Sequence, residues 1–318
     1  MDYLEEILQA AQRIRPFIRE TPLLRSAWLS RESGCEVYLK LENLQHTGSF
    51  KLRGAFNKLL SLTPAQRERE RGVITASSGN HGAALAYALQ ALNANGTIYV
   101  PTDASLAKIA AIRAFGQEVQ FYGDDCVETE AHARRLAEPN GMIYISPYND
   151  PQIIGGQGTI AVELAKQLDH IDAVFATLGG GGLLSGIGLY LKTVFPRMRL
   201  AGCSPANSAV MLDSLRAGKI LDLPSQPTLS DGSAGGVEAG AITFDICRKV
   251  LDDSIKVSED AIAQAMRDIF THEHLLIEGA AGTAVAGFRE RQKDYRGQNV
   301  VIILCGANLA PDTLKSIF

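Results

Sequence analysis

The sequence predicts an α/β fold built on mainly parallel sheets, and three observations predict it. Short apolar runs alternate with amphipathic stretches along nearly the whole chain, the pattern that strand–helix–strand units produce. The runs at 173–178 (AVFATL) and 300–305 (VVIILC) are continuously apolar rather than alternating, as strands covered on both faces require. No repeat or low-complexity tract breaks the alternation.

Candidate strands, in order, are Val37–Leu41, Gly72–Ala76, Gly96–Val100, Glu118–Tyr122, Met142–Ile145, Ala173–Leu178, Leu200–Cys203, Ile255–Val257 and Val300–Cys305. Amphipathic spacing between them predicts helices over Phe50–Leu60, His81–Leu92, Ala107–Phe115, Cys126–Ala137, Ile153–Leu168, Gly182–Val194 and Asp260–Thr271. The acidic, amphipathic N-terminal stretch MDYLEEILQAAQRIRPF is expected as a surface helix. It has no apolar run of signal-peptide or membrane-span length. The strand–helix units between Gly72 and Ile145 are expected to make a small sheet of their own. This divides the chain into a large domain (1–65 and 150–318) and a small one (66–149) that contributes to a substrate cleft. The segment Ser204–Gly240, poor in strand or helix signals and rich in Gly, Pro and Ser, is expected as a functional loop region.

Composition narrows the function. A net charge of −4 with acids and bases mixed offers no basic stripe for nucleic acid. The five cysteines are scattered and odd in number, which argues against a disulfide framework and fits a reducing, cytoplasmic setting. His272-Glu273-His274 places two histidines at i and i+2, facing apart on a helix, and no H-E-x-x-H occurs. No metal site is expected.

Four segments carry chemistry. Thr47-Gly48-Ser49-Phe50-Lys51-Leu52-Arg53 puts Lys51 at a helix start. There the dipole and neighbouring Arg53 are expected to disfavour its charge, which suits a Schiff-base lysine. Ser77-Ser78-Gly79-Asn80-His81-Gly82 sits at a strand–helix junction, where backbone N–H groups attract an anion. Gly179–Gly182 follows a buried strand and opens a helix, a cradle for a phosphate. A P-loop would need Gly-Lys-Ser/Thr where Leu183-Leu184 stand, and a dinucleotide fingerprint would need an acid at the end of the next strand, which reads Ala201-Gly202-Cys203-Ser204. Cys305-Gly306-Ala307-Asn308 closes the last strand. Singly, these segments also read as a solvated lysine, a helix cap or a buried structural thiol.

Taken together and in this order, TGSFKLRGA, SSGNHG, the tetraglycine and CGAN resemble the fold-type-II pyridoxal 5'-phosphate (PLP) enzymes, in the serine/threonine dehydratase and serine racemase branch. LENLQHTGSFKLRGAFNKL, PYNDPQIIGGQGTIAVEL and LLIEGAAG extend the resemblance over nearly the whole chain. It implies a tryptophan synthase β-like fold, with two open twisted sheets flanked by helices. It implies that Lys51 carries the cofactor as a Schiff base and later acts as base at Cα, and that Phe50 packs on the ring. Asn80 would bond the phenolic oxygen, and Gly179, Gly180, Gly181 and Gly182 the phosphate. Cys305 stands where the family usually has Ser or Thr facing the pyridine nitrogen. Ser77, Ser78, Gly79 and His81 would surround the substrate carboxylate, with Ser78 matching the opposite-face acid/base of the racemases.

The implied activity is a lyase: dehydration of a 3-hydroxy L-amino acid (threonine, serine or a relative such as phenylserine), through an aminoacrylate, to a 2-keto acid and ammonia. Amino-acid racemase and non-catalytic ligand-binding homologue are the alternatives. A homodimer or higher homo-oligomer is expected. Metal-activated relatives carry two acids where this chain aligns Cys203 and Ala209.

Overall fold

The computed structural model describes residues 2–67, 72–124 and 126–318. Ten strands form two sheets. They are β1 (Leu23–Arg25), β2 (Glu36–Lys40), β3 (Val73–Ala76), β4 (Gly96–Val100), β5 (Val119–Phe121), β6 (Ile143–Tyr144), β7 (Ala173–Thr177), β8 (Arg199–Pro205), β9 (Asp253–Val257) and β10 (Asn299–Ile303).

The larger sheet has the order β1-β2-β10-β7-β8-β9 and is parallel except for the antiparallel edge pair β1–β2. The smaller sheet, β5-β4-β3-β6, is parallel throughout and lies wholly between residues 73 and 144. Every residue of β7 is buried, which explains why its run is apolar up to Thr177, whose hydroxyl donates to Ala280 O. The Gly279–Arg291 helix packs on β7, β8, β9 and β10, and its first ten residues are all buried. Its small side chains allow that approach: a Cβ added at Gly287 would overlap Cys203 Sγ.

The N-terminal helix, Tyr3–Ile14, starts on Asp2, whose carboxylate accepts from the backbone N–H groups of Leu4 and Glu5. It buries Ile7, Ala10 and Ile14 completely. Each such isoleucine contributes about 1.5–3 kcal/mol of apolar burial. Its polar face is on the surface, as expected.

Several elements differ from the expectation. β1 and the Ala27–Ser33 helix are too short to show periodicity. Ser204–Gly240 contains a helix, Val210–Ala217, between irregular stretches. β8 runs two residues past Cys203, so the thiol points into the core rather than marking a strand end. Among the described residues, no helix is long and apolar enough to cross a membrane.

Four loops leave the carboxyl ends of strands: the Lys51 segment after β2, Ser77–Asn80 after β3, the tetraglycine after β7, and Cys305–Asn308 after β10. In open parallel sheets this is where ligands bind.

Candidate active site

The Lys51 and Cys305 segments are laced together by their backbones. Phe50 N donates to Cys305 O (3.1 Å), Ala307 N donates to Gly48 O (2.9 Å), and Ser49 and Gly306 form an isolated bridge. This seats Phe50 at the start of the Lys51–Ser61 helix and fixes where Lys51 emerges.

Lys51 is half-buried, and its Nζ donates to the carbonyl oxygen of Pro147 at 2.8 Å. It sits 5.3 Å from the centre of the Phe50 ring. No ion pair reaches it among the described residues. Burial pulls its pKa from 10.5 to about 8, although Cys305, Glu278 and Glu130 pull the other way. The expectation that Arg53 contributes to this is corrected. Arg53 turns away into the protein, where Glu42 and Glu163 take its guanidinium, and desolvation supplies the shift instead.

That arginine sits in a closed charge network. Arg53 and Glu42 are fully buried. The guanidinium bonds both oxygens of Glu42 (2.7 and 2.8 Å) and both of Glu163 (2.6 and 2.9 Å). Lys40 Nζ adds a bond to Glu163 at 2.5 Å. Two cations face two carboxylates, so the charge is balanced inside the core.

Ser77, Ser78, Gly79 and Asn80 are half-buried at the end of β3, and Gly79 borders open space. His81 is buried instead. Its Nε2 faces Ile145 O at 3.3 Å, and its Nδ1 has no partner. Burial and nearby Lys51 drop its pKa to about 3, so the ring is neutral.

Gly179 and Gly180 are half-buried. A Cβ at Gly180 would overlap the Tyr148 ring, and one at Gly179 would lie 2.8 Å from Ser233 O. Gly181 adopts φ +84°, a left-handed conformation that a side chain would strain. Behind the loop, buried Thr243 Oγ1 is unpartnered. Cys305 is buried, which holds its thiol well above its ordinary pKa and therefore neutral.

The sequence reading missed Glu278. It is buried at the start of the Gly279–Arg291 helix and accepts from Asn80 Nδ2 at 2.8 and 3.0 Å. Burial raises its pKa to about 7. The only sequence signal is one acid in the otherwise small and apolar LLIEGAAG.

A family model described as pyridoxal-phosphate dependent enzyme matches residues 14–306. The chain belongs to that family. It is 37% identical over 314 residues to the L-threonine ammonia-lyase of Thermotoga maritima, covering 99% of this chain and 77% of that one. It is 38% identical over 312 residues to an L-threo-3-hydroxyaspartate ammonia-lyase of a Pseudomonas species, covering 98% and 97%. Among solved structures, maize serine racemase superposes with a TM-score of 0.92 at 31% identity, covering 98% of this chain and 95% of that one. The enzyme is a PLP-dependent lyase, and its fold is the fold-type-II architecture.

The residues present fit PLP. A lysine with a lowered pKa and no counter-ion suits an aldehyde-bearing cofactor. A glycine run whose backbone is crowded from behind suits a phosphate taken by N–H groups, without a basic side chain. Among the described residues no group of three or more His, Cys, Asp or Glu side chains is placed to hold a metal ion.

Proposed function

We propose that this enzyme dehydrates a 3-hydroxy L-amino acid, threonine, serine or a relative of them, to a 2-keto acid and ammonia. The observation that carries the reading is Lys51. It is the lysine held with a lowered pKa, a carbonyl for its partner and no counter-ion, on a strand-end loop whose backbone is laced to the Cys305–Asn308 segment. When bound, PLP supplies the electron sink that acidifies the substrate's α-carbon.

Lys51 would hold the cofactor, and its Nζ, neutral once released from it, would be the base that takes the α-carbon proton. Phe50 would pack against the ring, and Asn80 would donate to the phenolic oxygen. Gly179 to Gly182 hold the phosphate through backbone N–H groups. Cys305, kept neutral by burial, would stand beside the pyridine nitrogen without giving it a charged partner, which would favour loss of the 3-hydroxyl over transamination. Ser77, Ser78 and Gly79 hold the substrate carboxylate. His81, being neutral, contributes shape and hydrogen bonding rather than charge. Residues 1–65 and 150–318 act as the large cofactor-binding domain and 66–149 as the small domain beside the substrate cleft. The enzyme works as a cytoplasmic homo-oligomer.

Serine racemisation is the second reading, supported by Ser78 and by the likeness to maize serine racemase. Incubating the enzyme with a panel of 3-hydroxy amino acids, with keto acid and D-isomer both measured, tests the two. Keto acid from at least one member supports dehydration. D-serine without keto acid would replace this reading by the second.

A further inference from the structure

Asn80 belongs to a hydrogen-bonded chain whose two ends fix every amide in it. At one end, Asn308 Nδ2 donates to the backbone oxygen of Thr47 (2.9 Å), so that atom is a donor. The same Nδ2 lies 2.6 Å from Asn80 Oδ1, which must therefore accept. At the other end, Asn80 Nδ2 meets both oxygens of Glu278, at 2.8 and 3.0 Å. Two oxygens of one carboxylate subtend too narrow an angle for two amide hydrogens, so a single N–H serves both. The backbone N–H of Asn308 donates to the same carboxylate at 3.0 Å.

An amide has two donor hydrogens and one acceptor oxygen. After these bonds, Asn80 keeps one N–H to offer. Two glycines leave room for the chain: a Cβ at Gly306 would stand 2.5 Å from Glu278 Oε1, and one at Gly48 2.8 Å from Asn308 Oδ1. Three segments far apart in sequence thus converge on one side chain.

We propose that Glu278 and Asn308 are positioning residues that lock the amide of Asn80 so that it presents an N–H, not its oxygen, to the cofactor. The inference rests on the reading that Asn80 donates to the cofactor's phenolic oxygen. Without the lock, the amide can turn over and set oxygen against oxygen. Glu278 is the stronger half, because N–H groups of both Asn80 and Asn308 end on its carboxyl group.

The test is a double-mutant cycle on PLP affinity, measured by titrating apo-enzyme with PLP. The variants are Asn80→Ala, Glu278→Gln, Asn308→Ala and the two doubles with Asn80→Ala. Each single variant is expected to weaken PLP binding about tenfold. In the Asn80→Ala background, Glu278→Gln and Asn308→Ala are expected to add little. Thermal melting of the apo-proteins separates positioning from folding. Glu278→Gln replaces a buried acid by a neutral amide and is expected to leave the apo melting temperature unchanged or higher. If Asn80→Ala binds PLP normally, the role given to Asn80 fails. If Asn80→Ala is weakened but the other two substitutions cost as much in its background as alone, the positioning role fails. Should Glu278→Gln not fold, the Asn308→Ala arm decides by the same criterion.

Discussion

Lys51 Nζ donates to the Pro147 carbonyl at 2.8 Å, and no carboxylate pairs with it among the described residues. A carbonyl partner holds the amine in place without stabilising its charge as an anion would. Burial then governs its titration and brings the pKa to about 8.

Capture of PLP by apo-enzyme is expected to follow that titration. Only the neutral amine attacks an aldehyde, and its fraction rises roughly tenfold per pH unit below the pKa. The capture rate should climb from pH 6 to about 8 and level off above. Stopped-flow absorbance of PLP mixed with apo-enzyme measures it. A rate still climbing tenfold per unit at pH 9.5 would mean that Lys51 titrates as an ordinary surface lysine.

The tetraglycine loop has no room for a side chain. Gly180→Ala places a methyl in the Tyr148 ring, and Gly181→Asp adds bulk at φ +84° together with a charge that repels phosphate. Loss of PLP affinity by at least roughly a hundredfold is expected for Gly181→Asp, with less for Gly180→Ala. Equilibrium dialysis measures both. Unchanged affinity in Gly181→Asp would move the phosphate elsewhere.

Arg53 is a stability prediction. Arg53→Met removes the cation that satisfies Glu42 and Glu163, leaving Lys40 to face both carboxylates. Breaking a buried charge network of this kind costs about 3–5 kcal/mol. Urea unfolding of the apo-enzyme should show it as a lower midpoint. A cost below about 1 kcal/mol would mean that the network is solvated.

These outcomes also show what the sequence could and could not carry. Lys51, Ser77–His81, Gly179–Gly182 and Cys305–Asn308 are each a contiguous run of unusual residue types after an apolar run, so spacing and turn chemistry sufficed to find them. Glu278, Pro147 and Tyr148 are single residues whose importance comes only from what folding lays beside them. The Gly279–Arg291 helix was hidden because its buried residues are mostly Ala and Gly, with only Val285 and Phe288 larger and apolar, which gives little apolar contrast. Arg53 looked like a neighbour of Lys51 by sequence distance, but the helix turns the two side chains apart.

Divalent cations are expected to be dispensable for turnover. Mg²⁺ and Ca²⁺ call for carboxylate oxygens. Cys203 is buried against Gly287, Ala209 offers only a methyl, and Ser204 Oγ is spent on Leu178 O at 2.8 Å. Keto-acid release should be unchanged after EDTA treatment and after adding Mg²⁺. Several-fold activation by Mg²⁺ would show oxygen ligands gathered elsewhere.

The most direct measurement compares wild type with Lys51→Ala, both purified in the presence of PLP and dialysed. Visible absorbance of protein-bound cofactor and ammonia release from 3-hydroxy amino acids are recorded on the same samples. The account predicts that the wild type shows both signals and that Lys51→Ala, still folded by circular dichroism, shows neither covalently held cofactor nor ammonia. Full ammonia release by Lys51→Ala would contradict it.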